Sequence, residues 1–202
     1  MTVEARPRRA AHRPSRRQEI IEAAIVVFAR KGISASIAEV AHETSMSLAS
    51  IYYHFQGKPE LFTACVFEVS HRIMNATSSQ EPSEKLLQTR EAVNLVWTWA
   101  EHHREEARLL YVWAVAGPPE AKAVRHRFEE YYVRRARRRM RRVGGSTPLD
   151  FAVERLASRT YMSLAMGVAE AWVEEHPLGG TLDQHRIAAA LAEVSVRLTG
   201  VP

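Results

Sequence analysis

The sequence predicts an all-α protein of about nine helices, with a short three-helix head followed by a larger helical body. Apolar residues recur at three- and four-residue spacing along most of the chain, as one buried helix face requires, and strand signals are few. Between Ser36 and Lys58, two very short helices, each with its own serine cap, flank the tight turn Thr44-Ser45-Met46.

The chain of 202 residues is long enough for one domain with a full core, or for a small head joined to a larger body. Its 46% hydrophobic and 25% charged residues are ordinary globular values. A net charge of +5 makes a polyanion a plausible partner, although a merely basic protein would look the same by this measure. The single cysteine, Cys65, excludes an intramolecular disulfide and a multi-cysteine zinc site. It falls among Leu61, Phe62, Val66 and Val69, which makes it a core residue rather than a nucleophile. No apolar run is long enough to span a bilayer, and the N-terminus carries charge without the apolar segment of a signal peptide. A cytoplasmic protein without a membrane partner is expected.

Residues 1–15 hold Arg6, Arg8, Arg9 and Arg13 among Pro and Ala without hydrophobic periodicity, a flexible basic arm that is either a solvated tail or a minor-groove contact. Ser15 caps the first helix, with Gln18 three residues on as the partner of a capping box, and Gly32 stops it. Ser36 and Glu39 form the same box for the second helix. Ser47 caps the third, and Gly57-Lys58-Pro59 opens a fourth whose stripe of Leu61, Cys65, Val69 and Ile73 runs to about Ala76. This fourth helix is the natural connector, because Ser78 to Ser83 reads as a linker loop. The head is thus residues 16–62 and the body 63–202.

In the body, Leu86, Val93, Trp97 and Ala100 stripe a fifth helix, and Leu109, Leu110, Trp113 and Ala114 a sixth. Gly117-Pro118-Pro119 breaks before a seventh, which starts near Glu120, carries Val124, Phe128, Tyr131 and Tyr132, and ends in an arginine run from Arg134 to Arg142 before Gly144-Gly145. The eighth, from about Pro148 to Glu175, shows two apolar stripes: Ala157, Tyr161, Leu164, Val168 and Trp172, and Met162, Met166, Ala169 and Val173. So wide an apolar arc implies burial on two sides. The ninth carries Ile187, Leu191, Val194 and Leu198 beside small alanines, and with the eighth it forms a candidate four-helix dimer interface.

A helix is the element that fits the major groove of B-DNA, and the third helix turns Leu48, Ser50 and Tyr53 outward while Ile51 and Phe55 face the core. Ser50 can bond a base edge or a phosphate, and Leu48 and Ala49 offer apolar contact to a thymine methyl. With no Arg, Asn or Gln in that set, direct base readout is expected to be modest, with DNA shape adding to specificity.

Gly32, Ser36, Ile37, Val40-Ala41, Ser47, Ile51-Tyr52, His54-Phe55, Lys58 and Leu61 stand in an order that resembles the N-terminal head of the TetR family of bacterial transcription regulators. The resemblance covers residues 16–66, about a quarter of the chain. Three features depart from the family pattern: a Gly32-to-Val40 segment one residue short, Ser45 at a common glycine, and Leu48-Ala49 where a polar residue and glycine are frequent. The resemblance implies phosphate contacts from Ser36, Tyr52, His54 and Lys58, helped by the positive N-terminus of the fourth helix. The candidate DNA-binding set is therefore Ser36, Ser47, Leu48, Ala49, Ser50, Tyr52, Tyr53, His54 and Lys58. It also implies a homodimer on a double-stranded operator and a small-molecule effector enclosed by helices five to eight. The candidate lining is Trp97, Trp113, Phe128, Tyr131, Met162 and Met166, for which ordinary core is the competing reading.

His102-His103-Arg104-Glu105-Glu106 has metal-ligand types at helical spacing but reads as a solvated polar cluster where the fifth helix ends. No paired base, nucleophile or phosphate-cradling loop is evident, so neither an enzyme nor a cofactor or metal is expected. The expected function is a DNA-binding regulator, most simply a repressor released by its effector. The rival is a helical interaction protein that uses the helix-turn-helix as a non-specific DNA anchor.

Overall fold

The structure, a computed structural model, describes residues 15–78, 87–143 and 151–175, together with Arg186, Ala189, Ala190, Glu193 and Val194. Helix α1 (Arg16–Lys31) begins at Ser15, whose hydroxyl accepts from the Gln18 amide. The expected reciprocal half of this box is not made, because the Gln18 side chain donates to Glu22 instead. A single 3-10 turn (Gly32–Ser34) leads to α2 (Ile37–Thr44), where the capping box is complete: Ser36 accepts from Glu39 N–H, and the Glu39 carboxylate accepts from Ser36 N–H. Then follow α3 (Leu48–His54) and the long α4 (Lys58–Ser78).

The head core is built from the faces that periodicity assigned. Ile20, Ile21, Ala24 and Phe28 of α1, Val40 of α2, Ile51 of α3 and the Phe55 that follows it are buried against Leu61, Phe62, Cys65 and Val66 of α4. Phe28 and Phe62 meet edge to face with ring centroids 5.1 Å apart, and each large side chain buried this way is worth about 1.5–3 kcal/mol. Burial pushes the Cys65 thiol well above its ordinary pKa, as befits a core residue.

The body continues with α5 (Leu87–His102), α6 (Arg104–Arg108), a π-helical turn (Leu109–Trp113), α7 (Ala114–Ala116), α8 (Pro119–Val143) and α9 (Phe151–Glu175). The all-α expectation holds, with no strand among the described residues. The sixth helix of the sequence reading is one helical path interrupted by the π-turn, a widened turn that periodicity does not reveal. Its inward residues Leu109, Leu110, Tyr111 and Ala114 are buried, as are Val124, Phe128 and Tyr132 of α8.

In α9 the second predicted stripe is the buried one, with Met166, Ala169 and Val173 joined by Trp172. Leu164, assigned to the first stripe, lies 39% exposed while Trp172 of the same stripe is buried, so the stripe does not act as one surface. Residues 1–14, 79–86, 144–150 and most of the expected ninth helix, with its Ile187, Leu191 and Leu198, lie outside the described residues. The basic arm, most of the linker loop and the Gly144-Gly145 stop therefore lie there too.

Head and body share one hydrophobic core through α4, and polar links reinforce it. Arg72 of α4 binds Glu68 and Glu106 at 3.0 Å each and also pairs with Glu22 of α1, joining α1, α4 and α6. Burial disfavours its charge, but the hydrogen bonds to these carboxylates outweigh that and hold it protonated.

The Glu39 carboxyl is held down from 4.5 to about 2, first by its hydrogen bond from Lys31 and then by that from Ser36 N–H. A folded-state pKa below the unfolded one means that this contribution is fully present above pH 4.5 and is lost as pH falls toward about 2. Glu39→Gln should therefore lower stability at neutral pH and flatten the acid limb between those values, as read from urea unfolding at a series of pH values.

Candidate nucleic-acid interface

Helix α3 is held by two local devices. Ser47 caps it by accepting from Ser50 N–H at 3.2 Å, and Ser45 makes the turn with φ 54° and ψ 27°. Ser45, which stands at a common glycine of the family pattern, thus adopts the left-handed conformation, a region where glycine carries no Cβ penalty. Ile51 and Phe55 anchor the inner face.

The outer face is open. Leu48 is 46%, Tyr52 54% and Tyr53 85% exposed, Ala49 is exposed, and Ser50 is half-buried. The Tyr52 ring stands outside the core, which Phe55 fills. His54 is half-buried and meets Tyr53 edge to face at 5.1 Å. Ser36 and Ser47 are exposed at the two helix starts, with their hydroxyls already serving as caps.

Two expected phosphate contacts have internal partners. Lys58 Nζ donates to the Ile33 carbonyl at 2.7 Å and ties the start of α4 to the 3-10 turn, leaving two of its N–H groups. At the same helix end Gln56 N–H donates to the Glu60 carboxylate at 2.7 Å, so an arriving phosphate meets an anion of the protein's own. The sequence reading missed Arg17, whose guanidinium lies 4.8 Å from the Phe55 ring centroid and adds a cation beside the residues that end α3. Its place in the first turn after the Ser15 cap gave the only signal, and helical periodicity absorbed it.

This geometry is a helix-turn-helix with an exposed second helix, and residues 20–65 match the family model for bacterial regulatory proteins of the tetR family. The helix-turn-helix head is therefore of the TetR type, a match that spans under a quarter of the chain. Among relatives it is 26% identical to the HTH-type transcriptional regulator BetI of Brucella suis over 201 residues, covering 94% of each chain. Among solved structures it is similar to a tetR-family regulatory protein from Rhodococcus RHA1, at 25% identity and TM-score 0.72, over 94% of this chain and 100% of that one. It also shares its fold with the transcriptional regulator FadR from Bacillus subtilis, solved in complex with stearoyl-CoA, at 16% identity and TM-score 0.74, over 89% of this chain and 97% of that one.

In the body the six candidate effector residues do not form one group. Trp97 packs on Trp172 with centroids 5.3 Å apart, Phe128 sits between Tyr111 and Tyr132, and Met166 is buried. Tyr131 and Met162 are half-buried against the same core.

Trp113 belongs elsewhere. Its Nε1–H donates to the Ala29 carbonyl of α1 at 2.9 Å, and its ring covers Gly32, where an added Cβ would fall inside the indole's van der Waals envelope. This is a contact between head and body. The π-turn that carries the residue packs against α1 as well as α9. Likewise the His102-to-Glu106 cluster is structural in part: His103 stacks on Trp99, and Glu106 joins His103 to Arg72.

Proposed function

We propose that the chain acts in the cytoplasm as a homodimeric repressor that places two α3 helices in successive major grooves of a palindromic operator, about 34–36 Å apart, and leaves DNA when an effector binds the body. The observation that carries the reading is the uncovered face of Leu48, Ala49, Tyr52 and Tyr53 on a rigidly capped α3, in a head of the TetR type. Its lack of Arg, Asn and Gln supports modest direct base readout, with Tyr52, His54, Lys58 and Arg17 positioning the head on phosphates. A dimer is supported by α9, which leaves Leu156 and Leu164 exposed beside Gly167, where a Cβ would meet nothing within 4 Å. Apolar residues at this spacing on one helix face suit a second copy.

Release is supported by how the head is attached. Trp113 and the Arg72 cluster join α1 to the body, while an open cleft of about 630 Å³, with Ile21 and Phe67 on one side and Val124 and Arg127 on the other, leaves room for α4 to tilt relative to α8. The stearoyl-CoA bound by the FadR neighbour illustrates a ligand taken up by this fold.

Selection of bound DNA from a random pool tests the reading. Enrichment of an inverted repeat with half-sites one helical turn apart is expected, whereas strong salt-sensitive binding without sequence preference would establish the anchor reading instead. On the selected site, Tyr53→Ala should weaken binding by about 10- to 100-fold, as loss of one good groove contact would. Its thermal unfolding should stay within error, because the ring is 85% exposed.

A further inference from the structure

The inward stripe of α8 runs Ala121, Val124, Phe128, Tyr132 and ends at Arg135, all buried. Arg134 and Arg138 of the same run are exposed and Arg137 is half-buried, so of these four arginines one is turned fully into the body. Arg135 is 8% exposed, and its Nη1 donates to the Tyr131 hydroxyl at 2.9 Å, with the guanidinium 5.7 Å from the same ring's centroid. Among the described residues no carboxylate lies within ion-pair distance of it. A buried cation without an anion is costly, and a neighbouring aromatic face offsets only part of that cost.

We propose that Arg135 and Tyr131 form a receptor for an oxyanion, and that the effector therefore carries a carboxylate or a similar anionic head. The inference rests on the proposed effector-binding body and specifies its ligand. The planar guanidinium matches two oxygens side by side. Tyr131 already accepts from Arg135 and donates to nothing among the described residues, so its O–H supplies a further bond to the same anion. The exposed arginines on either side raise the local positive potential and favour anion entry.

Thermal unfolding of the full chain tests this with hexanoate, octanoate and decanoate, each against the alcohol of equal length, on wild type, Arg135→Met and Arg135→Lys. In ligand-free protein Arg135→Met should raise Tm by roughly 2–6 °C, because it removes an unpaired buried charge and keeps the volume. At least one carboxylate should raise the wild-type Tm beyond its alcohol, and that excess should vanish in Arg135→Met and persist in part in Arg135→Lys. A lower Tm for ligand-free Arg135→Met, no excess of any acid over its alcohol, or an excess that survives in Arg135→Met would each overturn the anion receptor. Operator binding is then measured with the acid that shows the excess. Release of DNA supports both readings, and retention of DNA despite Arg135-dependent binding leaves the receptor standing and removes the effector reading.

Discussion

Gly32→Ala is expected to lower the stability of the full chain by roughly 3–5 kcal/mol, the sum of a forbidden backbone and an overpacked contact. Gly32 sits at φ 58° and ψ −142°, a combination open to glycine alone, and its missing Cβ is the space the Trp113 indole occupies. For a chain of this size the loss corresponds to a fall in Tm of about 10 °C. The two causes separate in a double-mutant cycle. If the indole is responsible, Trp113→Ala will cost less in the Gly32→Ala background than in wild type; additive losses would assign the effect to the backbone alone. The Ala29 carbonyl, Gly32 and Trp113 also join the head directly to the body.

Arg72→Met should have the second largest effect, about 2–4 kcal/mol, since it leaves Glu22, Glu68 and Glu106 facing one another without their common cation. The loss should shrink in high salt and in acid, where the carboxylates are screened or protonated. A loss that ignores both would mean that Arg72 acts through its packed stem rather than its charge. Because the cluster joins α1 to α6, the same variant should weaken the dependence of operator binding on anything bound in the body. Equilibrium titration of labelled operator, with and without the carboxylate identified through Arg135, measures that change.

Both predictions rest on contacts that no pattern in the chain announces. The caps at Ser15, Ser36 and Ser47 and the inward faces of α1 to α4 were legible, because each depends on residues three or four apart and is decided by local backbone geometry. The same locality explains where the reading went astray. Trp113 and Leu164 have the spacing of core stripes, but a stripe does not say which neighbour covers it: Trp113 covers the head and Leu164 is left open. Arg17, Arg72 and Arg135 look alike in the sequence, yet one stacks on Phe55, one gathers three carboxylates and one is buried with none among the described residues.

The order of residues by itself determined an all-helical chain, a capped helix-turn-helix with few polar base readers, and the resemblance of its head to a family of regulators. Only the tertiary structure decided how head and body are joined and which arginine turns inward. Helix starts, turns and faces are set by interactions within one turn of the chain, whereas Trp113 meets Ala29 across a separation of 84 residues and Arg72 meets Glu22 across 50. Such contacts follow from how whole helices pack, and their partners cannot be identified until those helices are in place.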